Sequence, residues 1–213
     1  MTIYIIRHGE TDLNVRRVVQ GWADEPLNEN GILLAQETGR ALRDVHFDFC
    51  ISSPLLRAKK TAEILLEESG NGHVPVRVDD RLKEINFGAC ELTDVDKDLE
   101  KKGLMYRFFK NPLRMEPFPG GEGVRQVMER TQAFLREVAE RREGEVCLLA
   151  THGCALRAML NFLYDDPSDF WQGHMPYNCC ISIIEAQHGN AKLTDIDKVY
   201  YDRDDVVDHY AAF

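Results

Sequence analysis

The sequence predicts an α/β fold: three α/β/α layers around a mainly parallel sheet, with a small inserted lid. Three observations predict it. Short apolar, β-branched runs alternate with segments of helical periodicity, the pattern of strands wrapped by helices on both faces. Two of the runs end alike. Met1-Thr2-Ile3-Tyr4-Ile5-Ile6 leads into Arg7-His8-Gly9, and Glu145-Val146-Cys147-Leu148-Leu149-Ala150 leads into Thr151-His152-Gly153. The alternation fails only from about residue 87 to 120, where periodicity is weak and breakers are frequent.

The first run reads as a buried strand closed by a sharp turn at Gly9. Asn30 to Arg43 follows with helical spacing of Ile32, Leu33, Ala35 and Leu42. Phe47 to Ser52 reads as a strand, and Ser53-Pro54 as a helix start with Ser as N-cap and Pro at the first helical position. That helix should run to about Glu68, before the Gly70-Asn71-Gly72 turn, with a short strand from Val74 to Val78. Gly121 to Arg142 carries Val124, Val127, Met128, Thr131, Phe134, Leu135 and Val138 at helical spacing. Cys154 to Tyr164 is expected as helix, and Cys180 to Ala186 and Lys192 to Ile196 as closing strands. The acidic tail from Asp202 is expected to fray.

At 213 residues the chain fits one domain, 1–213, with a sizeable core. The net charge of −10 argues against a nucleic-acid surface and an anionic membrane. No apolar stretch approaches the roughly 20 residues of a membrane span. The N-terminus begins on a core strand, so no signal peptide is expected. Cys50, Cys90, Cys147, Cys154, Cys179 and Cys180 form no CxxC pair and read as reduced, cytoplasmic thiols.

Strands of a parallel sheet open their binding crevice at their carboxyl ends. Two neighbouring strands that each end in His-Gly would set two imidazoles side by side there. One such His is usually a core residue; a matched pair, with Arg7 beside the first, favours chemistry.

These residues resemble the histidine phosphatase superfamily, the phosphoglycerate-mutase-like proteins. The likeness rests on Arg7-His8-Gly9-Glu10-Thr11 with Asn14, then Gln20-Gly21 and Pro26-Leu27-Asn28-Glu29-Asn30-Gly31. It continues through Ser52-Ser53-Pro54-Leu55-Leu56-Arg57-Ala58, Leu82-Lys83-Glu84-Ile85-Asn86-Phe87-Gly88 and Thr151-His152-Gly153. The blocks keep the family's order. The chain departs from it at Leu13 and Gly123, neither of which carries the phosphoryl chemistry, and at Cys90 and Leu92 after the Glu84 block.

The resemblance implies a phosphohistidine formed on His8, with Arg7 and Arg57 clamping the phosphoryl oxygens, since a planar guanidinium matches two oxygens at once. It implies His152 as a further donor, Asn14, Gln20, Gly21 and Gly153 as substrate contacts, and Glu84 as general acid and then base. Arg57 falls in the first turn of its helix, where the macrodipole disfavours a cation unless an anion binds there. A solvated Arg also fits that position, and a surface carboxylate fits Glu84. No metal ligand spacing is present, so no metal and no cofactor are expected.

Other chemistries lack their residues. None of the cysteines has an Arg six positions later, and Gly-Lys-Ser/Thr is absent. Gly120-Gly121-Glu122-Gly123 follows prolines, not a strand, and Asp195-Ile196-Asp197 lies too near the C-terminus for an aspartyl-phosphate enzyme. In the lid, Leu104-Met105-Tyr106 and Phe108-Phe109 suit either an apolar substrate wall or packing onto the domain. Lys101, Lys102, Arg107 and Lys110 suit either a second anion or solvent.

The expected function is a phosphomonoesterase acting on a small cytosolic phosphoester. A 2,3-bisphosphoglycerate-dependent mutase is the alternative, disfavoured by the modest segment between Glu84 and Gly121. A non-catalytic phosphate-binding module is the third. The partner expected is the small-molecule substrate, and a homodimer is compatible with the sequence.

Overall fold

A computed structural model describes residues 1–141, 144–187 and 190–202; the acidic tail after Asp202 lies outside the described residues. Among these, six strands form one sheet: β1 (Thr2–Arg7), β2 (Phe49–Ser52), β3 (Val76–Val78), β4 (Val146–Thr151), β5 (Ile181–Gln187) and β6 (Asn190–Lys198). Their order is β3-β2-β4-β1-β5-β6. The pairings from β3 to β1 are parallel, and β5 runs antiparallel to both its neighbours. The mainly parallel α/β sheet is therefore as the sequence predicts.

The strand pattern explains why both faces are covered. Ile3 and Ile5 of β1, with Cys147 and Leu149 of β4, bury against α6 (Val124–Arg141) and α7 (Gly153–Leu160). Their alternates Ile6, Leu148 and Ala150 bury against α2 (Glu29–Ala41) and α3 (Leu56–Glu68). Successive side chains of a strand face opposite ways, so a continuous apolar run demands two cores.

A third cluster roofs the carboxyl ends of the strands. Ile85, Phe87, Val95, Met105, Phe108, Phe109, Phe118 and Phe170 pack together there. They come largely from α4 (Val95–Glu100), α5 (Leu104–Lys110) and the turns around them. The sequence shows weak periodicity here because helices of 6 and 7 residues complete fewer than two turns. The inserted segment is thus a small aromatic-packed unit over the sheet's edge.

Two boundaries differ in an informative way. Helix α3 begins at Leu56 with Leu55 at the N-cap, not at Ser53-Pro54. Ser53 still belongs to the sheet, its N–H donating to the Ala150 carbonyl at 2.9 Å. The first helical amide, that of Leu56, instead donates to Asp24 Oδ1 at 2.7 Å, a cap supplied from a distant loop. After Leu160 the helix expected through Tyr164 tightens into a 3₁₀ turn over Asn161–Leu163. β3 starts two residues later than expected, and β6 is longer at both ends.

Candidate active site

The parallel register of β1 and β4 pairs Arg7 with Thr151, so the next residues of each strand, His8 and His152, emerge side by side. Their rings lie 5.2 Å apart. The turn holding His8 is pinned throughout. His8 N–H donates to Thr151 at 3.0 Å, Gly9 N–H to Thr61 Oγ1 at 2.9 Å, and Asn178 Nδ2 to the His8 carbonyl at 3.0 Å. Glycine is required where the turn meets α2: a Cβ on Gly31 would stand 2.1 Å from the Glu10 carbonyl oxygen. Such pinning fixes the imidazole before any ligand arrives.

His8 Nδ1 lies 2.7 Å from the Gly9 carbonyl oxygen. A carbonyl only accepts, so Nδ1 carries the proton and Nε2 keeps its lone pair. Burial, then the Arg57 and Arg7 charges, hold the imidazole well below its ordinary pKa. That lowered value leaves the ring neutral near pH 7. His152 is held low by burial and by Arg57. Its Nε2 meets Ser53 Oγ at 2.8 Å, while Nδ1 has no partner among the described residues.

Both cations are gripped from behind by carbonyl oxygens. Arg7 Nη1 donates to the Pro176 carbonyl. Arg57, with no exposed surface, donates through Nη1 to Ala23 at 2.8 Å and through Nη2 to Gly21 at 2.7 Å. Burial lowers its pKa to about 10, which leaves it charged at neutral pH. The Nε of each arginine is buried and lacks a partner among the described residues. Unpaired buried donors are rare in folded proteins and call for an explanation.

Glu84 sits at the start of α7, and its carboxylate accepts N–H bonds from Cys154 and Ala155 at 3.0 Å and from Ile85 at 2.8 Å. It caps the helix in place of a side chain at the N-cap, where the macrodipole favours an anion. Burial nonetheless outweighs these bonds and raises its pKa above the ordinary carboxyl value. The thiol of Cys154 beside it is also pushed up by burial, so it stays protonated.

Arg7, His8, Asn14, Gln20, Glu84 and Gly153 form the polar wall of one cavity of about 50 Å³. Val19, Phe87, Val95, Met105, Phe108, Phe109 and Met175 roof it. Arg57 and His152 are wholly buried and do not line it. Gly21 does not line it either; its carbonyl holds Arg57. The Asn14 amide oxygen accepts from the Thr11 N–H at 3.2 Å and from Asn178 at 3.3 Å, so it braces the wall as well. Of the lid cations, Lys110 instead rims a neighbouring cavity of about 610 Å³, which shares Phe109 and Met175 with the first.

The family model of the histidine phosphatase superfamily (branch 1) matches residues 3–198. The chain belongs to this superfamily. A probable phosphoglycerate mutase, GpmB, of Salmonella choleraesuis is 32% identical over 88% of this chain and 86% of its own. The structure of Bacillus stearothermophilus YhfR superposes with a TM-score of 0.85 at 32% identity, covering 93% of this chain and 97% of that one. The α-ribazole phosphatase of Shigella flexneri gives a TM-score of 0.79 at 27% identity, over 93% and 96% of the two chains. The superfamily's relatives thus carry both phosphatase and mutase names.

Three residues of this superfamily member escaped sequence reasoning. Arg130 donates to the carbonyls of Arg81, Lys83 and Glu84 at 2.7 to 2.9 Å, tying down the segment that carries Glu84. Glu91 accepts four backbone N–H bonds beside Arg57's loop. Arg157, buried in α7, pairs with Asp197 at 2.5 Å and holds the His174 carbonyl at 2.9 Å, next to Pro176. None sits in a motif block; the place of Glu91 just after the block that ends at Phe87-Gly88 was the one available signal. Among the described residues, no three His, Cys, Asp or Glu side chains are grouped as metal ligands are.

Proposed function

We propose that the chain is a phosphomonoesterase that hydrolyses a small phosphorylated metabolite through a phosphohistidine on His8. The observation that carries this reading is the Nδ1 contact of His8 with the Gly9 carbonyl, which leaves Nε2 unprotonated toward phosphorus. The Nε2 lone pair forms the P–N bond as the P–O bond to the leaving alcohol breaks. The imidazolium so formed keeps its Nδ1 proton on the Gly9 carbonyl. Arg7 and Arg57 stabilise the equatorial oxygens, whose charge grows in the transition state. Glu84, kept protonated more readily by burial, gives its proton to the departing alkoxide. The resulting carboxylate then takes a proton from water, which attacks phosphorus and releases phosphate and neutral His8.

The small cavity under an aromatic roof supports a compact substrate, or one whose alcohol lifts α5. Six cysteines outside any disulfide among the described residues, five of them buried, support a cytoplasmic location. The likeness to a probable phosphoglycerate mutase favours a second reading, return of the phosphoryl group to another oxygen.

Hydrolysis of p-nitrophenyl phosphate, with an alkaline detergent quench after a ³²P-labelled substrate and acid treatment of a parallel sample, tests the first reading. Acid-labile label on His8 is expected, and full activity in His8→Ala would overturn it. Phosphate release against isomer formation on 3-phosphoglycerate, with 2,3-bisphosphoglycerate present, separates the two activities. Absence of any turnover would leave a phosphate-binding module.

A further inference from the structure

We propose that Glu91 is the positioning residue for Arg57, acting through two peptide groups that link the two side chains. This rests on the reading of Arg57 as a phosphoryl clamp. The Gln20–Gly21 peptide donates its N–H to Glu91 Oε2 at 3.0 Å and offers its carbonyl to Arg57 Nη2 at 3.4 Å. The Gly21–Trp22 peptide donates to Glu91 Oε1 at 2.8 Å and accepts from Arg57 Nη2 at 2.7 Å. Each dipole thus points its positive end at the carboxylate and its negative end at the guanidinium.

The next residue ties the loop to both side chains through two successive peptide groups. Ala23 N–H, of the Trp22–Ala23 peptide, reaches Glu91 at 3.3 Å, and the carbonyl of the Ala23–Asp24 peptide takes Arg57 Nη1 at 2.8 Å. Phe87 N–H, from the segment after Glu84, gives the carboxylate its fourth donor at 3.2 Å. Asp24 then caps α3 one residue before Arg57, registering the loop against the helix. No side chain fits between: a Cβ on Gly21 would lie 2.3 Å from Glu91 Oε1 and 2.3 Å from the Ile85 carbonyl oxygen.

Arg57 needs such support. It is a fully buried cation in the first turn of a helix, where the macrodipole opposes it. Carbonyls that occupy Nη1 and one side of Nη2 fix the plane of the fork and leave the Nε edge unpaired. A neutral amide at position 91 accepts fewer N–H bonds and brings N–H groups of its own against the loop's donors. The carbonyls then lose their register, and the guanidinium its aim.

The test is a double-mutant cycle of Glu91→Gln and Arg57→Lys, read by p-nitrophenyl phosphate turnover and by calorimetric binding of inorganic phosphate. Glu91→Gln should lower kcat/KM and weaken phosphate binding by about 10- to 100-fold, the scale of a misplaced catalytic group. On the Arg57→Lys background it should add no more than about twofold. Effects that multiply across the two sites, or an unchanged Glu91→Gln, would overturn the proposal. An Arg57→Lys variant equal to wild type would instead overturn the clamp itself, and with it the need for positioning. Circular dichroism checks folding. If Glu91→Gln does not fold, Glu91→Asp, which keeps the carboxylate, should show a smaller loss that again vanishes beside Arg57→Lys; a loss that persists there counts against the proposal.

Discussion

Replacing Arg157 by Met tests how the fold holds its other cation in place. Arg157 has no exposed surface, and its partner Asp197 only 3%. Burial alone would raise the Asp197 pKa, but His174 and Arg157 outweigh it and hold the carboxyl below its ordinary range. Met fills the volume yet leaves the buried carboxylate with His174, 3.1 Å away and partly exposed, and the weak Cys180 thiol donor at 3.6 Å. Breaking one side of a buried pair costs about 3–5 kcal/mol, against a typical total of about 5–15 kcal/mol. For a chain of this size that is a fall in Tm of about 6–20 °C. Urea unfolding of the wild type, Arg157→Met, Asp197→Asn and the double variant at pH 7 measures it. The double variant should recover more than half the loss, because no lone charge remains. A single-variant loss under about 1 kcal/mol, or strictly additive losses, would refute the account. The same change frees the His174 carbonyl and with it the segment whose Pro176 carbonyl holds Arg7, so phosphate affinity should fall too.

Arg130→Ala unties three carbonyls around Glu84 and should lower kcat by about 10- to 100-fold with KM little changed; an unaltered kcat removes Arg130 from the scheme. Gly21→Ala forces a methyl against two oxygens and should cost about 1–3 kcal/mol in urea unfolding, and a variant as stable as wild type would show that the loop yields. Because the folded pKa of His8 is depressed, its contribution to stability is full above about pH 6.5 and is lost as pH falls toward the folded value, by up to about 1.4 kcal/mol per unit. His8→Asn should flatten that acid limb; a limb of equal slope in both proteins contradicts the depressed value.

The sheet was legible because its signal is local. Period-two burial and two His-Gly termini can be read residue by residue, and parallel pairing of β1 with β4 then follows. Helix starts were less legible where the cap is not local. Asp24 lies 32 residues before Leu56, so Ser53-Pro54 offered the only visible start. For the site, strand ends gave Arg7, His8 and His152, whereas Glu84 was plausible only through the family likeness. Arg130, Arg157 and Glu91 were illegible as site supports because the bonds that link them to the site run through backbone carbonyls and amides. Backbone groups have no letter in a sequence, and any residue could supply them.

Backbone partners also bear on how a chain of net charge −10 could hold the proposed phosphate pocket. The unfavourable long-range field acts through water and salt, and fades beyond about 8–10 Å. In the proposed function Arg7, which lines the cavity, and Arg57, buried behind its wall, act at short range, where charges are screened least. Two guanidinium groups so close repel each other, and Arg7 indeed lowers the pKa of Arg57. Carbonyl oxygens behind both offset that repulsion without placing a carboxylate where phosphate must bind. Glu84, Asp24 and Glu91 raise the Arg57 pKa from around it, the last two acting through a loop rather than facing the cavity. Burial first, and then the same two cations, hold the His8 pKa down. On the proposed function one arrangement would both attract the anion and preserve the nucleophile, and weakening either guanidinium's backing should raise the His8 pKa and the phosphate dissociation constant together.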